Sequence, residues 1–360
     1  MTMYGGVYAG SRVLVTGHTG FKGSWLSLWL TELGARVSGL ALPPATSPNH
    51  WDLLRLEVAD QRADIRDAGA VARWFAQVMP DIVFHLAAQP LVRRSYREPL
   101  ETWSSNAMGT AHVLEAGRQT RSVRAVVVIT TDKVYADQQR PGGYREGDRL
   151  GGHDPYSASK AAAELVVESY RKSFGRETAA PLLATARAGN VIGGGDWSED
   201  RLIPDLLRAV GRGQPLEIRS PNATRPWQHV LDCLSGYLLL GQKLLEGAGE
   251  FAEAWNFGPD TGDNRSVLEV IETLQGHWPE LRWNVALERQ PHEASVLHLD
   301  CANARTRLGW RPVWNLQQAL EATALWHRSH ADSGRIESSA QIKRFIADAQ
   351  AGGQAWAGAC

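Results

Sequence analysis

Residues 12–23 read RVLVTGHTGFKG, from Arg12 to Gly23. Arg12–Thr16 is a short run of mostly β-branched and apolar residues, the composition of a buried strand. Phe21–Leu33 follows, with Trp25, Leu26, Trp29, Leu30 and Leu33 at helical spacing, and Gly34 ends it as a helix C-cap does. Three glycines, Gly17, Gly20 and Gly23, lie between the strand and the first helical turns. The first permits a tight turn off the strand. The second lets backbone approach a pyrophosphate, and the third lets the helix pack close to the sheet. The helix N-terminus then offers unpaired N–H groups and partial positive charge to phosphates. This is not a mononucleotide P-loop, because Lys22 stands where that spacing requires glycine. Gly17, His18, Gly20, Phe21 and Gly23 are therefore the first candidate dinucleotide contacts.

Outward from this stretch, short β-rich runs alternate with helical ones. Strands are expected at Arg36–Leu42, Asp81–Leu86, Ala125–Thr130 and Leu182–Arg187. Helices are expected at Asp67–Val78, Pro99–Arg118 and Tyr156–Phe174. Alternation with fully apolar strands predicts an α/β fold, a doubly wound, Rossmann-like parallel sheet covered on both faces. Such sheets bind ligands at the carboxyl ends of their strands. After about Asn190 the rhythm changes to the helices Arg201–Gly211, Leu231–Leu245, Val267–Leu274 and Leu316–Ser329, joined by loops and short strands. The expected organisation is a dinucleotide-binding domain over 11–187 with a return segment near 230–258. A smaller substrate lobe takes 188–229 and 259–330, and a C-terminal tail takes 331–360, with room for one helix at Ser338–Gln350.

The second strand carries no acid to hold an adenosine ribose, and no Arg follows it directly to favour a 2′-phosphate. The residues alone leave NAD and NADP open and predict weak dinucleotide binding. Asp64 and Ile65 lie where a loop after a third strand reaches the adenine.

Two further stretches carry chemistry. Tyr156-Ser157-Ala158-Ser159-Lys160 opens a helix and sets Tyr156 and Lys160 one turn apart. An ammonium beside a phenol favours phenolate, so the Tyr156 pKa is expected to fall from about 10 toward neutrality, making a usable base. Thr130-Thr131-Asp132-Lys133-Val134-Tyr135 follows the strand Ala125–Thr130, which puts Thr131, Asp132 and Lys133 at the sheet's carboxyl edge. His85, near a strand end, reads as a packing residue beside the cofactor. Metal ligation is not expected: His292-Glu293 lacks the second histidine of a zinc motif, since position 296 is Val.

Composition limits the function classes. The chain has 360 residues, 43% of them hydrophobic and 21% charged, as in a soluble globular protein. With 38 basic and 39 acidic residues the net charge is −1, which gives no surface-wide attraction for nucleic acid or an anionic membrane. Residues 1–10 lack a signal-peptide pattern, and no apolar run is long enough to span a bilayer. Three cysteines without a CxxC pair suggest free thiols in a reducing compartment, hence the cytoplasm.

TGHTGFKG, His85-Leu86-Ala87-Ala88-Gln89, TTDKVY and YSASK together resemble the extended short-chain dehydrogenase/reductases that act on nucleotide sugars. Within them, His85–Tyr96, Arg187–Trp197 and Asn222–Asp232 resemble the CDP-glucose 4,6-dehydratase group. The resemblance spans roughly Ser11 to Ser329. It implies NAD as cofactor, with Leu86 and Ala87 added to its contacts, and CDP-glucose as the substrate. It implies C4 oxidation, loss of water across C5 and C6, and hydride return to C6. Tyr156 would act as base at O4 with Thr131 sharing that oxygen, Asp132 as acid at the C6 hydroxyl, and Lys133 as base at C5. Relatives with dTDP sugars usually have Glu at that last position. A lysine there needs a depressed pKa, which Lys160 and the nicotinamide could supply. Arg201 and Arg225 are candidates for the substrate's phosphates, because guanidinium forks onto phosphate oxygens. Asn190, Gln89 and His292 complete the expected substrate contacts, and Trp227 is a candidate to flank the base. The resemblance also implies a homodimer or higher homo-oligomer, built on Pro99–Arg118 and Tyr156–Phe174. A nucleotide-sugar 4-epimerase and a non-catalytic NAD(P)-binding regulator remain alternatives. Asp132 beside Thr131 argues against the first, and the Tyr156/Lys160 spacing against the second.

Overall fold

A computed structural model describes residues 2–136, 142–177, 179–286 and 298–358. Seven parallel strands form the main sheet: β1 (Arg12–Thr16), β2 (Arg36–Ala41), β3 (Ala59–Arg62), β4 (Ile82–His85), β5 (Ala125–Ile129), β6 (Leu182–Ala188) and β11 (Ala254–Phe257). Their spatial order is β11-β6-β5-β4-β1-β2-β3. Order reverses between β1 and β4, where Thr16 lies level with Leu40 on one side and His85 on the other. This reversal opens the crevice in which such sheets bind ligands. Thr16, Val15, Phe84, Val127 and Ala186 are buried, as expected of strands covered on both faces.

Helices α1 (Phe21–Glu32), α2 (His50–Leu54), α3 (Ala68–Val78), α4 (Val92–Arg97), α5 (Pro99–Trp103), α6 (Gly109–Gln119) and α7 (Pro155–Phe174) join the first six strands. After β6 come β7 (Val191–Ile192), α8 (Leu202–Gly211), β8 (Leu216–Ile218), β9 (Thr224–Pro226), β10 (Gln228–His229) and α9 (Val230–Leu245). Beyond β11 lie β12 (Asn264–Ser266), α10 (Val267–Gln275), β13 (Trp283–Val285), α11 (Leu316–Ser333) and α12 (Ser338–Ala351).

The segment expected as one helix from Pro99 is α5, a π-helical turn at Ser104–Met108, and α6. The wide turn presents Asn106 inward, where its amide bonds the backbone of Gln89 and the Ser159 hydroxyl. Such turns recur beside functional sites. Burial forms an apolar core on each face of the main sheet, one further core in the second half of the chain, and a small cluster around Val134 and Tyr144. The core on the α3 and α6 side is built on Leu14, Phe75, Val83 and Val113. The core on the opposite face joins α1, α9, α12 and the sheet through Trp25, Trp29, Leu234, Leu238 and Phe345. The core in the second half of the chain joins α8, α10, α11, β8 and Trp227. Residues 331–358 join the core: α12 packs on α1, and Trp356 stacks on Tyr4 with ring centres 5.1 Å apart.

Candidate active site

The glycine loop leaves β1 at the crevice. Gly17 has φ +74° and lies so close to Leu86–Ala87 that a Cβ would come within 2.6 Å of the Ala87 nitrogen. A Cβ on Gly23 would overlap the Gly17 carbonyl. No side chain caps α1, whose N-cap is Gly20, so its first amides face the crevice. A cavity of about 1190 Å³ opens there. Gly17, Gly20, Phe21 and Gly23 line it on one side, with Asp64, Ile65, Leu86 and Ala87. A dinucleotide fits this cradle.

His18 is the exception in the loop. It is fully buried, with Nε2 2.8 Å from Asp60 on β3, and burial lowers its pKa. Asp60 also pairs with Arg62 at 2.6 Å. The acid missing from the second strand is thus supplied by the third, but committed to His18 and Arg62. Asp64 lines the cavity and is held by Arg66 at 2.5 Å.

The opposite wall carries the catalytic candidates. Thr131 caps the short turn Asp132–Val134 after β5. Its hydroxyl donates to Asp132 Oδ1 at 3.0 Å and also bonds Tyr156. Asp132 is buried, its Oδ2 has no hydrogen-bond partner, and burial raises its pKa against the pull of Lys133, Thr131, Arg225 and Lys22. Such a carboxyl holds its proton into a range where an ordinary aspartate has lost it. Lys133 is half-buried on the cavity wall.

Helix α7 starts at this wall because Asp154 accepts from the Ser157 amide and Pro155 opens the first turn. Tyr156, Lys160 and Glu164 then share one face. The expectation of a depressed Tyr156 pKa is corrected. Burial raises the phenol to about 12, with Asp132 adding to the rise and Thr131 and Arg201 opposing it. Lys160 Nζ donates to the Ile129 carbonyl at 2.9 Å. Its own pKa is lowered to about 8, by burial first and Lys22 second. Glu164 forms a buried ion pair with Arg187 at 2.8 Å and accepts from Thr185 at 2.7 Å. That pair pins the Tyr156/Lys160 face of α7 to β6.

Arg201, Arg225, Asn190 and Trp227 line the same cavity. Arg201 is 3.3 Å from Asp196, and Arg225 is buried next to β12. Gln89 also lines it, but its amide is engaged by Leu91 and Thr102. His85 is buried between Thr16 and Thr110, its pKa lowered to about 3 by burial. His292 lies outside the described residues. Among those described, no cluster of His, Cys, Asp and Glu suits a metal. No helix among them is long and apolar enough to cross a membrane.

Sequence reading missed Lys22, Glu164, Arg93 and Arg219. Lys22, which in the sequence only breaks the P-loop spacing, lines the cavity. Arg93 and Arg219 line it too and converge on Asp200 at 3.5 and 2.8 Å, a meeting of distant segments that local sequence does not mark. Only Glu164 carried a signal, the next turn of the helical face after Lys160.

Residues 13–258 match the NAD dependent epimerase/dehydratase family, and the chain belongs to it. It is 48% identical over 329 residues to a CDP-glucose 4,6-dehydratase from Salmonella typhimurium, covering 89% of this chain and 92% of that one. Among solved structures it resembles the epimerase Mth375 from Methanothermobacter thermautotrophicus, with TM-score 0.82 and 25% identity over 91% of this chain and 95% of that one. It also resembles DesIV, a dTDP-glucose 4,6-dehydratase from Streptomyces venezuelae solved with NAD bound. There the TM-score is 0.76 and the identity 26%, over 90% of this chain and 98% of that one.

Proposed function

We propose that the chain converts CDP-glucose to CDP-4-keto-6-deoxyglucose and water. The observation that carries this reading is Asp132, a buried carboxyl with a raised pKa whose Oδ2 is unpartnered, bonded to the hydroxyl that also bonds Tyr156. An acid poised there has a use in expelling a hydroxyl and none in simple epimerisation. The 48% identity to the Salmonella enzyme supports CDP as the nucleotide.

NAD, when bound, supplies the acceptor for the C4 hydride and its return to C6. Tyr156 takes the O4 proton, with Thr131 holding the same oxygen. Oxidation acidifies the C5 proton, which Lys133 removes. Asp132 protonates the C6 hydroxyl, which leaves as water, and Lys133 gives its proton back to C5 as C6 regains the hydride. Arg201 and Arg225, joined by Arg93 and Arg219, face the two phosphates, and Asn190 the adjoining ribose. The buried thiols of Cys233 and Cys301 fit a reducing cytoplasm. We further propose a homodimer through α5, α6 and α7.

Incubation with CDP-glucose and NAD, followed by mass measurement of the sugar nucleotide, tests the reading. Loss of one water is expected. An unchanged mass with a 4-epimer as product would establish the epimerase alternative.

A further inference from the structure

The glycine loop brings a lysine to the catalytic groups. Lys22, in the first turn of α1, lines the cavity together with Tyr156, Lys160 and Asp132. Its Nζ is 3.4 Å from the Tyr237 hydroxyl and 5.8 Å from that ring's centre. Tyr237 is fully buried on α9 and bonded to Cys233, so the ammonium is tethered by a fixed phenol. Among the described residues no carboxylate lies within ion-pairing distance of Lys22. Its charge is felt across the site: it pushes Lys160 down and pulls Asp132 down, while its own pKa is lowered, by burial first and with Arg201 adding to the fall.

The two redox forms of a nicotinamide dinucleotide share their pyrophosphate and differ by one unit of charge on the ring. The oxidised ring is cationic and the reduced ring neutral. A fixed cation in this partly buried wall repels the first and not the second, while its attraction for the pyrophosphate is common to both. We propose that Lys22 sets the preference of the site for the reduced over the oxidised cofactor, weakening NAD⁺ relative to NADH. The bias suits an internal redox cycle, in which the reduced form must stay until its hydride is returned to the same sugar. The inference rests on NAD dependence and is independent of the sugar's identity.

The test uses full-length protein without sugar, titrated separately with NAD⁺ and NADH while tryptophan fluorescence is followed. Lys22→Met and Lys22→Gln should each tighten NAD⁺ about tenfold or more, the modest end of a unit charge's effect in such surroundings. NADH affinity should change by less than about threefold, because its ring carries no charge. A tenfold change in the ratio is about 30 mV in the potential of the bound two-electron couple, here toward more negative values. Lys22→Arg, which keeps the charge, should keep the wild-type ratio. Equal changes in both affinities, the signature of a packing role, would overturn the proposal, as would an unchanged ratio. Since no sugar is present, such a failure leaves the CDP-glucose reading standing.

Discussion

Asp132 and Tyr156 share the Thr131 hydroxyl and are tuned by the same force. Burial favours the neutral form of each and raises the pKa of both the carboxyl and the phenol. For Asp132 that is the form a general acid needs. For Tyr156 it means that proton removal depends on groups brought in with the substrate and cofactor, not on Lys160 alone. The roles separate kinetically. Tyr156→Phe should cut turnover by about 10²–10⁴-fold, the usual worth of a positioned base, with no build-up of reduced cofactor and little change in melting temperature. Asp132→Asn should still oxidise C4, so stopped-flow absorbance should show reduced nicotinamide accumulating with a 4-keto hexose while 6-deoxy product forms slowly. Lys133→Ala should do the same and lose solvent deuterium exchange at C5. Wild-type product rates without that accumulation would remove Asp132 and Lys133 from the elimination. That these residues meet at one wall was legible because they are local in sequence: Thr131, Asp132 and Lys133 are consecutive, and Tyr156 and Lys160 are one helical turn apart. The protonation states were not legible, because they depend on what buries each group.

Among the elements, α9 has a titratable clasp in its first turn. Asp232 Oδ1 accepts from the Val313 amide at 2.6 Å and the Trp314 amide at 3.4 Å, tying the segment before α11 to α9. Oδ2 is buried without a partner, and burial raises the pKa to about 7. An unfolded aspartate titrates near 3.9, about three units lower. Between these values the folded chain holds a proton that the unfolded chain has released, so this group's contribution to stability falls as pH rises from about 4 to 7. The slope reaches about 1.4 kcal/mol per pH unit within that window. Calorimetry of wild type and Asp232→Asn at pH 5, 6, 7 and 8 should show the wild type losing ground to the variant up to about pH 7 and none beyond it. A constant difference would show that Asp232 titrates as an ordinary carboxylate. The comparison isolates one group, because buried His50, His85 and His229, each lowered to about 3, act with the opposite sign and equally in both proteins. Nothing in Leu231–Leu245 as a helical pattern announced this clasp. Its two donors are eighty residues further along the chain.

For the molecule as a whole, the face made by α5, the π turn and α7 stands out. Leu100 is 84% exposed, and Trp103, Met108 and Leu165 are also exposed there, an unusual set of large apolar side chains to leave in water. If this is the homodimer face, Leu100→Glu with Met108→Glu should halve the particle mass measured by light scattering, and an unchanged mass would place the interface elsewhere. At the same scale the division between sequence and tertiary structure is clear. The alternation of short apolar strands with helices, and three glycines between the first strand and the first helix, determined the parallel sheet, the crevice and the dinucleotide cradle. Those features follow from short-range periodicity and from backbone that must come close. What only the tertiary structure decided lies where distant segments meet in a low-dielectric interior. Asp60 is turned to His18, Arg187 locks Glu164, Lys22 lines the same cavity as Lys160, and residues 331–358 join the core through Trp356 and Tyr4. Burial fixes the charge on each of these groups, and burial belongs to the packed chain, not to any window of its sequence.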